Sequence, residues 1–389
     1  MLTPYRRVLT TPGALLFSVT GLVARLPISM VSLGIVLLVS SRSGSYGLAG
    51  TVAATYILAN ALLAIVHGRL VDHYGQTRVL PVAISIFGLA LGALIAAVLA
   101  DWPPWCIYAS AALTGLALPQ VGSCVRARWS YVLDDPQRIQ TAFAFEGVAD
   151  EVVFITGPVL VTVLATTWHP AAGLLTALVA GVLGTLAFAG LRETSPPAHR
   201  HSTHGRSHFP MPWRVVAPVT VVFFALGSLF GSAEVATVAF AEQRGITAYA
   251  GVLLGLWSLG SLISGVGVGA ITWRSGPSAR MRWGAVALVA SLVPLPFISG
   301  AITMGAVLFV AGFAISPTMI GAMSLIERAV PSARLSEGLA VVHTGIAAGL
   351  APGAATAGIV IDRYGASPAY LVALASAIAA VLAAWAARN

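Results

Sequence analysis

Residues 68–78 read Gly68-Arg-Leu-Val-Asp72-His-Tyr-Gly75-Gln-Thr-Arg78, a short polar block between apolar stretches at 46–67 and 79–100. Each flanking stretch approaches or exceeds the roughly 20 apolar residues of a membrane-spanning helix. The block therefore predicts two spans joined by a tight connection on a basic face. Further apolar stretches lie at 13–40, 104–127, 139–167 and 171–191. After a polar segment, 192–212, six more run at 214–241, 247–272, 283–300, 302–326, 337–361 and 367–387. The expected fold is an all-α membrane protein: twelve transmembrane helices in two six-helix bundles, 1–191 and 213–389, joined by a linker at 192–212.

Composition narrows the function. Charged residues make up 9% of the 389 residues, against about a quarter in soluble proteins, and mean hydropathy is +0.89. Soluble enzymes, nucleic-acid binders and disordered scaffolds are excluded. A net charge of +8 fits basic loops facing an anionic leaflet. All 21 basic residues are arginine, so there is no Walker A lysine and no ATP drive of that kind. Neither H-E-x-x-H nor G-x-S-x-G occurs, which weakens membrane-protease and esterase readings. Transport rather than catalysis is expected, without cofactor or metal. The linker histidines His199, His201, His204 and His208 read as part of a flexible tether rather than a metal site. Cys106 and Cys124 lie 18 residues apart, about 27 Å along a helix and beyond disulfide reach. Met1–Arg7 and the long apolar stretch after it read as a first retained helix, not a cleaved signal. Trp102, Trp105, Trp168, Trp213, Trp273 and Trp283 fall at span ends, as interfacial anchors do.

The arginines test the topology. With twelve spans, Arg42, Arg244 and Arg363 fall on one side, Arg25 falls inside a span, and all the others share the side of the N-terminus. The positive-inside rule then places both termini in the cytoplasm, and the expected location is the cell (plasma) inner membrane. A monomer in the lipid bilayer is expected.

The two halves echo each other. Gly269-Ala-Ile-Thr-Trp273-Arg-Ser-Gly276 repeats the glycine spacing of Gly68–Gly75, Pro317 echoes Pro119, and Pro352 echoes Pro158, at nearly constant offsets. A third copy, Gly358-Ile-Val-Ile-Asp362-Arg-Tyr-Gly365, keeps the Gly-x3-Asp-x-Tyr-Gly pattern of Gly68–Gly75 but lies at the opposite membrane face. Nested inverted repeats leave copies placed in this way.

On these landmarks the chain resembles the major facilitator superfamily over its whole length. The block from Gly68 to Arg78 resembles that family's loop 2–3 signature, and Gly157-Pro158 resembles the kink of its exporter branch. Within the family it is most similar to actinobacterial efflux-like members. It departs from the pattern at Trp273, where the acid of the second copy belongs, and before Pro119-Gln120, where several proton antiporters carry an arginine. The resemblance implies two pseudo-twofold related bundles rocking about a midplane site. Gly68, Asp72, Gly75 and Arg78 would then form a gating latch. In it the Asp72 carboxylate pairs with Arg78 or Arg126 and faces the start of span eleven near Ser336.

Charges inside spans are the sharper signal, because each costs several kcal/mol unless paired or wet. Arg25 in span one, and Asp150 and Glu151 in span five, are each about 17 Å above the basic face at helical rise. Glu146 is one turn before Asp150. The expected partner of Arg25 is Asp150 or Glu151, and an acid left over would take up a coupling proton, with Glu151 or Asp150 favoured over Glu146. Glu234 in span seven would bind a proton or a cationic substrate, or line a wet vestibule. Pro119 and Pro317 are expected to break spans four and ten near the central cavity, making Gln120 and Thr318 substrate contacts. Pro158 and Pro352, with Gly157, mark helix kinks. His343, Trp257 and Tyr56 read chiefly as packing residues. The leading function is proton-coupled efflux of a small molecule by alternating access. The rivals are a uniporter or importer of a polar nutrient such as a sugar, and a transporter-like sensor or lipid-handling scaffold.

Overall fold

The structure is a computed structural model and describes residues 3–198, 211–270, 276–330 and 335–387. The linker histidines, Trp273 and the arginines at 200, 206, 274, 334 and 388 lie outside the described residues, and so does the side chain of Ser336. The described chain is almost entirely helical: α1 Thr3–Leu9, α2 Ala14–Ser43, α3 Tyr46–Tyr74, α4 Gln76–Leu99, α5 Pro104–Ala117, α6 Val121–Val132, α7 Pro136–Thr167, α8 Ala172–Gly190, α9 Trp213–Glu242, α10 Ala250–Ala270, α11 Pro277–Leu292, α12 Ala301–Ala329, α13 Leu335–Tyr364 and α14 Ala366–Ala386. Among the described residues, 10 helices are long and apolar enough to cross a membrane. The two remaining apolar stretches are the fourth, divided into α5 and α6, and the ninth, the 16-residue α11.

The break in the fourth span comes from its proline. Pro119 has no N–H for the carbonyl of Gly115 and pushes Leu118 into extended backbone, with ψ 114. Asn60 Nδ2 from α3 then donates to the carbonyls of Gly115 (3.2 Å) and Leu118 (3.4 Å). Pro317 behaves differently from the expectation: α12 runs through it unbroken. Here Ser264 Oγ from α10 donates to the carbonyl of Phe313 at 2.7 Å, so the bond lost to the proline is replaced without unwinding the helix.

The echoed blocks adopt one backbone turn. Gly75, between α3 and α4, has φ +87, and Gly365, between α13 and α14, has φ +88. Left-handed backbone of this kind is open to glycine at no steric cost, which explains the Tyr-Gly ending of both copies.

Contacts divide the chain into two compact units, residues 1–35 with 58–203, and 36–57 with 204–389. The first has an apolar core of Phe17, Val125, Trp129 and Phe188 at its basic end, with the Phe17 and Trp129 rings 4.7 Å apart edge to face. In the second, α9 and α13 pack backbone on backbone. A Cβ on Gly349 would fall 1.8 Å from the carbonyl oxygen of Phe224, and one on Gly227 2.0 Å from that of Ile346. Small residues on both faces permit this approach. Trp102, Trp105, Trp168, Trp213 and Trp283 are all exposed, and both cysteines are free.

Candidate functional site

In the first unit, α2, α6 and α7 bring four charges together. Arg25 on α2 donates from Nη2 to Glu146 Oε2 and from Nη1 to Asp150 Oδ1, both at 2.6 Å. Its Nε is held by the carbonyl of Gly21 at 3.0 Å, which fixes the guanidinium plane. Glu146 is fully buried, and its second oxygen accepts from Trp129 Nε1 at 2.8 Å. Asp150 Oδ2 accepts from Arg126 Nη2 at 2.7 Å. Two carboxylates thus meet two guanidinium groups, and the cluster is neutral as a whole. Burying charges is tolerable only with this degree of pairing and hydrogen bonding.

Two expectations need correction. Arg25 does pair with Asp150, one of the two acids expected, but its other partner is Glu146 and not Glu151, so it serves two acids rather than one. Glu146 and Asp150 are i and i+4 on one face of α7, and the guanidinium fork spans that one-turn separation. Glu151 points about 100° away around the helix. It is half-buried and makes no hydrogen bond or ion pair with a described residue. Arg126, expected to be an option for Asp72, is committed to Asp150.

The block at 68–78 is also arranged differently. Asp72 and Arg78 are exposed, and neither makes a hydrogen bond or ion pair with a described residue. The buried connection is made by a residue between them, Gln76. Its Oε1 accepts from Arg128 Nε at 2.8 Å, and its Nε2 donates to the carbonyl of Cys124 at 3.1 Å. Arg128 is fully buried, stacks 3.8 Å over the Phe188 ring, and donates to the Leu191 carbonyl and to Thr194 Oγ1, each at 2.9 Å. Sequence reasoning missed Gln76 and Arg128. The available signal was the alternation in Arg126-Ala-Arg128, which sends two arginines to different faces of one helix.

At the break between α5 and α6, Gln120 Nε2 approaches Asn60 Oδ1 at 3.5 Å. His67, Gly68, Pro119, Gln120 and Ser123 line a cavity of about 10 Å3 there, enough for a single water. Thr318 is fully buried in the second unit, its hydroxyl bonded to the Ala314 carbonyl at 2.8 Å, and it abuts α11 at Gly284. Gly157 lies against Ser29 of α2, where a Cβ would stand 2.0 Å from Ser29 Oγ. Pro158 and Pro352 sit inside continuous helices. Glu234 is half-buried on α9 within electrostatic reach of buried Tyr56. The Trp257 and Phe230 rings meet 5.5 Å apart, and the Phe223 and His343 rings 5.9 Å apart.

No curated protein sequence matches the chain. Among solved structures, the fold is similar to that of the POT family transporter PepTSo, with a TM-score of 0.74 at 11% identity over 96% of each chain. The nucleoside transporter NupG gives 0.70 at 14% identity, over 96% of this chain and 98% of NupG. A bacterial homologue of the iron transporter ferroportin, in an inward-facing state, gives 0.67 at 17% identity, over 96% of this chain and 99% of that one. The family model of the Major Facilitator Superfamily matches residues 17–310. With that match over most of its length and the same helical fold, the chain belongs to the major facilitator superfamily, as a multi-pass membrane protein that transports a small molecule.

Proposed function

We propose that the protein is a proton-coupled exporter, with Glu151 as the group that takes up and releases the proton. The observation that carries this reading is the neutral cluster beside it. Arg25 and Arg126 are matched by Glu146 and Asp150, and Glu151 is the acid of α7 left outside that match. A carboxylate with no cation among the described residues to hold it ionised can exchange its proton as access alternates. The paired charges supply a rigid frame around α7, and the likeness of Gly157-Pro158 to the exporter branch supports the outward direction. The proposed membrane is the cell's inner membrane, with the arginine-rich face in the cytoplasm and the protein acting as a monomer.

A thermal-shift panel of sugars, drugs, lipids and metabolites identifies a ligand, which is then followed in liposomes under an imposed pH gradient. Glu151→Gln is expected to abolish gradient-driven accumulation while keeping substrate binding and exchange. Glu146→Gln and Asp150→Asn should instead lower the melting temperature, because they break the neutral cluster. Full pH-driven accumulation in all three and in Glu234→Gln would take the proton site away from these acids, and no response of the unaltered protein to the pH gradient would replace this reading with a uniporter.

A further inference from the structure

The third copy of the glycine–aspartate block ends in a contact with the start of α3. The Asp362 carboxylate accepts from three donors there: Ser45 Oγ at 2.8 Å, the Tyr46 amide at 2.8 Å and the Gly47 amide at 2.7 Å. The two amides are among the first of α3, donors that a helix leaves without internal partners. Close backbone approach supports the contact. A Cβ on Gly358 would lie 2.4 Å from the Tyr46 carbonyl oxygen, and one on Gly50 2.6 Å from that of Ala354. The Tyr46 hydroxyl also bonds the carboxylate of Glu242 at the end of α9. All these groups belong to the second unit.

Asp72 carries the same sequence pattern and the same glycine turn at the opposite face, yet it is exposed and bonds no described residue. Among the described residues one copy is engaged and the other is not. Residues 36–57 come from spans one and two, whose other ends belong to the first unit. The Asp362 contact thus ties the N-terminal half of the sequence to its C-terminal half. We propose that Asp362 is a gating residue of the transport cycle, holding the non-cytoplasmic ends of α3 and α13 together and letting go when that face opens. An exposed carboxylate suits this task, because water can replace its three donors as they leave. The inference rests on alternating access and on the proposed orientation, and is independent of whether protons are coupled.

The test reads access directly and needs no substrate. In a Cys106→Ser/Cys124→Ser background, Ala54→Cys puts a thiol at a buried position on α3, one turn beneath Gly50. Ser123→Cys puts one at an exposed position near the arginine-rich face. Both are labelled in liposomes with a membrane-impermeant maleimide, Ala54→Cys from the non-cytoplasmic side and Ser123→Cys from the other. Asp362→Asn should speed labelling of Ala54→Cys about tenfold, as a loss of about 1.4 kcal/mol from the closed state would. Ser45→Ala, which removes one donor of three, should speed it about threefold, by a correspondingly smaller population shift. The rate at Ser123→Cys should stay equal or fall. Unchanged labelling of Ala54→Cys would overturn the proposal. So would acceleration at both thiols together, which would make the contact general packing support. Failure of Glu151→Gln to affect coupling would leave the latch result standing.

Discussion

The two units hold their helices together by different means. Around Arg25, the first unit joins α2, α6 and α7 through a four-membered charge cluster with a tryptophan donor. Along α9 and α13, the second unit lets backbones touch through Gly227, Gly231, Gly345, Gly349 and Gly353. Lipid is as apolar as a leucine side chain, so neither pair of surfaces is driven together by water; close packing and polar pairing must do it. Backbone packing is insensitive to protonation, whereas a charge cluster holds only while its members keep their charge.

The largest expected effects are about equal on the two sides, and the first breaks the shape-based one. Gly349→Ala puts a methyl 1.8 Å from the Phe224 carbonyl, an overpacking that costs about 3 kcal/mol or more, read as lost monodisperse protein or a sharply lowered melt. Gly147→Ala on α7 is the matched control: nothing lies within 4 Å of its added Cβ, so helix propensity should make it neutral or stabilising by up to about 1 kcal/mol. If the two variants melt alike, close approach is not what holds α9 to α13.

Next comes the charge cluster. Arg25→Ala leaves Glu146 buried without its cation and should lower stability by about 3–5 kcal/mol. Glu146→Gln added to it should recover part of that loss. Asp150→Asn should recover less, because Asp150 keeps Arg126 as a partner. Equal recovery by both, or none by either, would show that the four charges do not share the load as drawn.

The fold was legible in the sequence because spanning helices need long apolar stretches, and 10 described helices are long and apolar enough. Part of the cluster was legible too, from Arg25 and Asp150 at one depth. Which acid pairs with which arginine was not. It depends on helical phase, which separates Glu151 from Asp150 by one residue, and on the break at Pro119, which lets Arg126 meet α7. That break could not be told from the pattern alone, since Pro317 has the same spacing and leaves its helix whole, with Ser264 replacing the lost bond.

The smallest stability effect is expected at Asp72. An exposed carboxylate without a described partner should tolerate Asp72→Asn within about 0.5 kcal/mol in a melt, while transport slows because a switch charge is lost. Unchanged turnover with unchanged expression would remove Asp72 from the gating machinery, and the comparison with Asp362 would then stand on one copy alone.

The divided fourth span also has a consequence for how the chain is made. Its second piece, α6, has only 12 residues and includes Arg126 and Arg128, two charges that need partners before they can pack against other helices. The acid that binds Arg126 lies on α7, 24 residues downstream, and the carbonyl and hydroxyl that bind Arg128 come later still, at Leu191 and Thr194. During synthesis α6 therefore emerges before any of these groups exists. Its final seat depends on segments not yet translated, so the N-terminal half is completed backwards, with the fourth passage settling only after the fifth and sixth have arrived.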